Sequence, residues 1–315
     1  MDATDIRIIR TMGLQPYGRQ PRPAECLRPR FIAGRLGLSV EAVRDRVARM
    51  EAVGVIEGYE ICPNLRLLGF ESSCFYLRMD DHADVDQVAA KIRSVEGIVG
   101  IYTFTEPDMC INLAYRTPPD LQRKLKLLIG LAGDARLSKY YDLEMPPAVR
   151  PLSGLDWQVV KALRGQALRG LPEVAAELGV SARTVRRRFD RMSKEGAFFI
   201  IPLVDPAKVP GLILFELMVW IDPEAGPETF PAVLRALDDN QVCVDFPSTP
   251  EYGNYGVGLY AQRLGDIEAC RRKAAAVRGV RRVRPLILQG SEERFDWMDE
   301  VIEERVRSAR AKAAA

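Results

Sequence analysis

Histidine is almost missing from this sequence: His82 is the single one in 315 residues. A chain so short of imidazole has little material for histidine-based acid–base chemistry or for a histidine-ligated metal. Long apolar runs are missing as well. The apolar stretch 212–221 is interrupted by Glu216 and is too short to span a bilayer. Residues 1–10 alternate charge with hydrophobe and contain no secretory core. Paired cysteine spacing is absent: Cys26, Cys62, Cys74, Cys110, Cys243 and Cys270 are scattered with no CxxC, which favours reduced, buried thiols over disulfides or a metal site. No GxxxxGK[ST], GxSxG or HExxH is present. The glycine-rich 253–258 does not open a helix, so it is not read as a phosphate loop. These absences lead to the expectation of a cytoplasmic protein with no membrane partner, no metal and no cofactor. An excess of one charge sign is missing too, with 45 basic against 43 acidic residues and a net charge of +2. Any nucleic-acid footprint must therefore be a local patch.

What is there is a repeat. The length suits two or more domains. Leu36-Gly37-Leu38-Ser39 returns as Leu178-Gly179-Val180-Ser181, and aligning 31–54 with 173–196 gives ten identities in 24 positions. Ala33, Leu36, Gly37, Ser39, Val43, Arg44, Arg46, Arg49, Met50 and Gly54 pair with Ala175, Leu178, Gly179, Ser181, Val185, Arg186, Arg188, Arg191, Met192 and Gly196. The first copy carries about nine extra residues within 17–30, rich in Pro, Arg and Gly. Pro146, Pro147 and Pro151 mark the joint between the copies, because tandem prolines stop regular structure.

Each copy begins with a helix, a glycine turn, a capped helix and a strand. In the second copy Asp156 is placed to cap a helix with Trp157, Val159, Val160 and Leu163 inward. Pro172 suits the first turn of the next helix. Gly179 supplies the tight turn and Ser181 caps a third helix, on which Val185, Phe189 and Met192 share one face. Gly196 ends that helix, and 197–203 is apolar and β-prone, as a wing strand would be. This is a winged helix-turn-helix pattern. The free face of the third helix carries Arg183, Arg186, Arg187 and Arg188, and 181–194 has six basic residues and one acidic. Guanidinium groups suit phosphates and guanine edges because they donate bidentately. The candidate DNA-binding residues are Ser181, Arg183, Thr184, Arg186, Arg187, Arg188 and Arg191, with Ser39, Arg44, Arg46 and Arg49 in the first copy. There Glu41, Asp45 and Glu51 cancel the arginines, so the first unit is expected to bind more weakly or to read other bases. Arg19, Arg22, Arg28 and Arg30 in the preceding loop offer positive charge instead.

The strand and helix patterns that follow, 72–79, 84–94, 99–104, 109–115, 118–131 and 137–143, run βαββαβ. The second copy repeats the order through 212–221, 228–237, 242–246, 255–260, 264–277 and 281–288. The expected class is α+β: two winged helix-turn-helix domains (1–62 and 152–204) alternating with two ferredoxin-like βαββαβ domains (63–147 and 205–290), then a C-terminal helix over 291–315.

On residues 156–163, Leu178-Gly179-Val180-Ser181, 184–188 and Gly196, with their first-copy counterparts and Gly69-Phe70 and Gly211-Leu212, the chain resembles the Lrp/AsnC family of transcription regulators. The resemblance implies double-stranded DNA as partner, self-association through the βαββαβ (RAM-like) domains, and a small-molecule effector such as an amino acid. The two halves would then pair as a pseudo-dimer within one chain. By the same resemblance Thr105, Asp108, Gly253 and Asn254 are the candidate effector contacts, although Thr105-Glu106-Pro107-Asp108 departs from the family's glycine-containing turn. Some proteins resembling this family are sirohaem decarboxylases, whose site would use histidine with tyrosine and arginine. His82 sits in the polar run Asp80-Asp81-His82-Ala83-Asp84, which reads as a solvated loop. The expectation is accordingly a regulator and not an enzyme, with a tetrapyrrole decarboxylase or an interaction scaffold as the alternatives.

Overall fold

The structure, a computed structural model, describes residues 1–13, 24–133, 135–142, 145, 150–204, 209, 211–237, 241–247 and 254–314. Arg19, Arg22, Pro146 and Pro147, singled out from the sequence, lie outside the described residues. The protein is mixed α+β, with helices and antiparallel sheets.

The elements of the first half, in chain order, are α1 (Ala3–Met12), a 3-10 turn (Ala24–Leu27), α2 (Pro29–Leu36), α3 (Val40–Ala52), β1 (Ile56–Pro63), α4 (Leu65–Leu68), β2 (Glu71–Arg78), α5 (Val85–Ile92), β3 (Ile98–Phe104), β4 (Asp108–Tyr115), α6 (Pro118–Leu131) and β5 (Arg136–Asp142). The second half continues with α7 (Gly154–Leu163), α8 (Leu171–Glu177), α9 (Ala182–Lys194), β6 (Phe198–Val204), β7 (Ile213–Ile221), α10 (Thr229–Leu237), β8 (Gln241–Pro247), β9 (Asn254–Ala261), α11 (Leu264–Ala275), β10 (Val280–Glu293) and α12 (Trp297–Ala314).

The chain divides into two compact units. One comprises Met1–Ile6, Ser72–Leu143 and Asp205–Glu293. Its described strands form one sheet in the order β5-β2-β4-β3-β10-β7-β9-β8. Period-two alternation sets its faces. Phe75 and Leu77 of β2, Ile101 of β3, and Met109, Ile111 and Leu113 of β4 are buried with Val88, Ala89 and Ile92 of α5 and Leu128 of α6. A second cluster joins Phe215, Leu217 and Val219 of β7 and Val257 and Leu259 of β9 to Val233 and Leu237 of α10 and Ile267 and Ala274 of α11. Each such side chain contributes roughly 1.5–3 kcal/mol on burial. The sequence pattern ends the last strand at 288 and starts a helix at 291. In the structure β10 runs on to Glu293, because this stretch pairs with β3 (Ser291↔Tyr102, Glu293↔Gly100), and α12 starts only at Trp297.

The other unit comprises Arg7–Glu71, Glu144–Val204 and Arg294–Ala315. Its sheet is the antiparallel pair β1–β6, with Tyr59↔Pro202, Ile61↔Ile200 and Cys62↔Phe199 opposite one another. The side chain of Arg164, beyond the end of α7, is only 10% exposed and ties three segments together. Its guanidinium donates to Glu60 Oε1 (2.7 Å), the Ile61 carbonyl (3.0 Å), the Phe295 carbonyl (2.8 Å) and Asp299 Oδ1 (2.6 Å). Phe70 meets the Trp297 ring edge-on at 5.0 Å.

Candidate functional site

Two helix pairs in the second unit are built alike. α2 ends at Gly37 (φ +68°) and α8 is followed by Gly179 (φ +64°), where the left-handed backbone favours glycine. Ser39 Oγ accepts from Ala42 N (3.0 Å) and caps α3. Ser181 Oγ accepts from Thr184 N (3.2 Å) and caps α9, and it also meets Thr184 Oγ1 at 2.9 Å. Both serines are exposed, and each spends its hydroxyl on its helix.

The capped helices present the same faces. Val43 and Met50 of α3, like Val185 and Met192 of α9, are buried. The opposite face is exposed: Glu41, Arg44 and Asp45 on α3, and Arg183, Arg186 and Arg187 on α9. The three α9 arginines line an open concavity together with Ala182 and Asp190. They carry no ion pair among the described residues.

Arg188 and Arg191 have a different environment. Asp156 of α7 is 1% exposed, and its Oδ1 accepts from Arg188 Nη1 (2.8 Å) and Arg191 Nη2 (2.7 Å). Its Oδ2 accepts from Ser153 N (2.9 Å) and Ser153 Oγ (2.6 Å). Burial works to raise the Asp156 pKa, but Ser153 and the two arginines outweigh it and hold the carboxyl below its usual value. Sequence reading makes Asp156 the helix cap. In the structure Ser153 is the cap and Asp156 its partner in a capping box, a signal legible as Ser-x-x-Asp. In the first copy Arg49 is exposed and Arg46 half-buried, and both are engaged in interactions of their own.

The four candidate effector contacts are not gathered in one place by the described residues. Gly253 lies outside them, and Asn254 opens β9. Thr105 is exposed, and its backbone N–H donates to the Ile287 carbonyl (3.0 Å). Asp108 is fully buried. Its Oδ2 accepts from Arg284 Nη2 (2.6 Å), a guanidinium that also bonds Glu106 and donates to the Tyr76 hydroxyl (2.9 Å).

A second polar group lies along β3, β4 and β10. The Tyr102 hydroxyl donates to Glu293 Oε1 (2.6 Å) and accepts from Asn112 Nδ2 (3.4 Å). Asp108 Oδ1, Asn112 Oδ1 and Glu293 Oε2 are buried without a hydrogen-bond partner in the structure. Burial pushes the Glu293 pKa up to about 8 against the hydrogen bond from Tyr102. Sequence reading missed Tyr76, Tyr102, Asn112, Arg284 and Glu293. The signal that could have found them was strand alternation, which puts Tyr76, Tyr102 and Asn112 on the face opposite Leu77, Ile101 and Ile111. His82 is exposed in a turn, where its backbone N–H donates to Asp80 Oδ1 (3.1 Å).

No protein-family model matches the chain. Over 124 residues, 37% of this chain and 79% of the relative, it is 25% identical to an uncharacterised HTH-type transcriptional regulator of Pyrococcus furiosus. Among solved structures it is similar over its whole length to the sirohaem decarboxylase NirDL, with a TM-score of 0.60 at 14% identity and 100% of both chains covered. The same enzyme in complex with an iron-uroporphyrin III analogue gives a TM-score of 0.57 at 14% identity, over 99% of this chain and 100% of that one. Escherichia coli AsnC matches 44% of this chain and 93% of its own, with a TM-score of 0.37 at 18% identity. At these identities the structural likenesses concern the fold. They nevertheless contradict the expectation of a protein that is not an enzyme, since the solved chains matching this one from end to end are those of a decarboxylase. Among the described residues no helix is long and apolar enough to cross a membrane.

Proposed function

We propose that this chain is a DNA-binding transcription regulator of the Lrp/AsnC type, in which a tandem duplication has placed two winged helix-turn-helix domains and two βαββαβ domains in one polypeptide. The observation that carries this reading is the face of α9. Arg183, Arg186 and Arg187 are exposed side by side on a capped helix whose other face is buried. Such a helix suits the major groove, its guanidinium groups reaching phosphates and guanine edges. The Asp156 network holds Arg188 and Arg191 against α7, so these two position the reading helix. The curated relative, named as an HTH-type regulator, supports the same reading. Self-association through the βαββαβ domains and control by a small effector are what the family resemblance adds to it. The test is fluorescence anisotropy of the full chain on the DNA flanking its own gene, across a salt series and against scrambled DNA. Selective, salt-dependent binding supports the regulator, and equal weak binding to both DNAs refutes it.

A second reading, a decarboxylase acting on a carboxylated tetrapyrrole, has its own support. One observation is the group Tyr76, Tyr102, Asn112, Asp108, Glu293 and Arg284, with its three unpartnered buried oxygens. The other is the end-to-end fold likeness to the sirohaem decarboxylase. Titrating the protein into sirohaem while following the absorption spectrum tests it. A saturable spectral change, followed by loss of carbon dioxide seen by mass spectrometry, supports it, and an unaltered spectrum refutes it.

A further inference from the structure

The two capped helices share a burial pattern but not a charge pattern. Position by position, Glu41, Arg44 and Asp45 of α3 stand where α9 has Arg183, Arg186 and Arg187, and all six are exposed. Two of three reading positions are therefore reversed in charge, while the central arginine is kept. The helix ahead of each is reversed in the opposite sense. α2 carries exposed Arg28, Arg30 and Arg35 at or near its ends. Its counterpart α8 carries Glu173 and Glu177, both bound by Arg169 (3.5 and 2.5 Å). Positive charge has thus moved from the reading helix in the second copy to the preceding helix in the first. In helix-turn-helix docking that preceding helix crosses the phosphate backbone, and phosphate contacts position the protein while base contacts specify. Carboxylates on a reading helix repel phosphate unless other groups anchor it, and they accept hydrogen bonds from the cytosine amino group.

Resting on the regulator reading, we propose that the chain reads a non-palindromic operator. Arg183, Arg186 and Arg187 donate to guanine edges in one half-site. Arg28, Arg30 and Arg35 anchor the other half-site through phosphates, so that Glu41 and Asp45 accept from cytosine amino groups where the first half-site presents guanine. Arg44 keeps the donor role of Arg186.

The experiment is site selection by the full-length chain from a random duplex library, followed by affinity measurements on the enriched site. It compares the wild type, the exposed-surface double variant Glu41→Gln/Asp45→Asn, and Arg186→Ala/Arg187→Ala. The wild type is expected to enrich unlike half-sites. The carboxylate variant loses about tenfold discrimination for each contacted cytosine in one half-site only, and the arginine variant loses discrimination in the other. Placing N4-methylcytosine at the contacted positions weakens wild-type binding and leaves the carboxylate variant unaffected. Enrichment of a palindrome overturns the proposal while the regulator reading stands. So does a carboxylate variant that binds every sequence more tightly with unchanged preference, since the carboxylates then merely repel. A wild type that enriches nothing overturns the regulator reading and this proposal with it.

Discussion

Replacing Asp156 by asparagine removes one negative charge from a site that four donors converge on. The carboxylate accepts from Arg188, Arg191 and both the N–H and the hydroxyl of Ser153, and only 1% of the residue is exposed. Asparagine keeps one acceptor oxygen, but its amide then faces donors on the other side. At least two charge-assisted bonds disappear, each worth about 1.5–3 kcal/mol. Arg188 and Arg191 remain partly solvated, with side chains 24% and 34% exposed, which returns part of that loss. The expected destabilisation of the helical unit is about 2–4 kcal/mol at pH 7. The pH dependence has a definite sign. The folded pKa of Asp156 lies below its ordinary value, so its contribution is present above the unfolded pKa of about 3.9 and is lost as pH falls through the folded value. The gap between wild type and Asp156→Asn should therefore be constant from pH 8 to about pH 5 and close below about pH 4. Urea unfolding followed by tryptophan fluorescence reports on this unit through buried Trp157. An unchanged midpoint at pH 7, or a gap that persists undiminished at pH 3, would refute the reasoning.

Three further outcomes are expected. Arg186→Ala/Arg187→Ala should weaken DNA binding and lower the slope of log affinity against log salt by about 1 for each phosphate no longer neutralised, whatever the sequence; an unaltered slope by anisotropy excludes these residues from the interface. Gly97→Ala should cost about 3 kcal/mol and several degrees of melting temperature by calorimetry, because Gly97 sits at φ +89° and an added Cβ would lie 2.4 Å from the Ala114 carbonyl oxygen and 2.9 Å from Lys124 Nζ. Glu293→Gln should gain stability over the wild type as pH rises: with the folded pKa at about 8, the wild type loses stability between the unfolded value of about 4.3 and pH 8, so urea midpoints differing equally at pH 5 and pH 8 would count against a neutral buried Glu293.

Local signals made much of the fold legible. Ser39 and Ser181 as caps, Gly37 and Gly179 as turns, and Pro172 in a first turn act within a few residues, and the structure places each as its chemistry predicts. The pairings β1–β6 and β3–β10 were not legible. They join segments about 140 and 190 residues apart, and a strand's own pattern says which face is apolar, not which edge finds a partner. The end of β10 was misplaced for that reason. Its residues 289–293 are polar and read as the start of a charged helix until β3 is beside them.

The arginines of α9 show how far a one-dimensional pattern reaches. Arg186, Arg187, Arg188 and Arg191 look interchangeable in sequence, and the repeat keeps three of them. Keeping an arginine through a duplication is equally expected of a base contact and of a buried ion pair. Separating the two needs Asp156, which lies 32 residues upstream of Arg188 and comes within reach only when α7 packs on α9. Once Arg188 and Arg191 are assigned to Asp156, the exposed face shrinks to 183, 186 and 187. At two of those three positions the copies differ in sign. The arginines that the repeat preserves therefore include the two that hold α9 in place, while the residues that changed are the exposed ones at 41 and 45. A duplication that kept its scaffold and altered its contact surface leaves this signature, and it is the physical reason to expect two unlike half-sites from one chain.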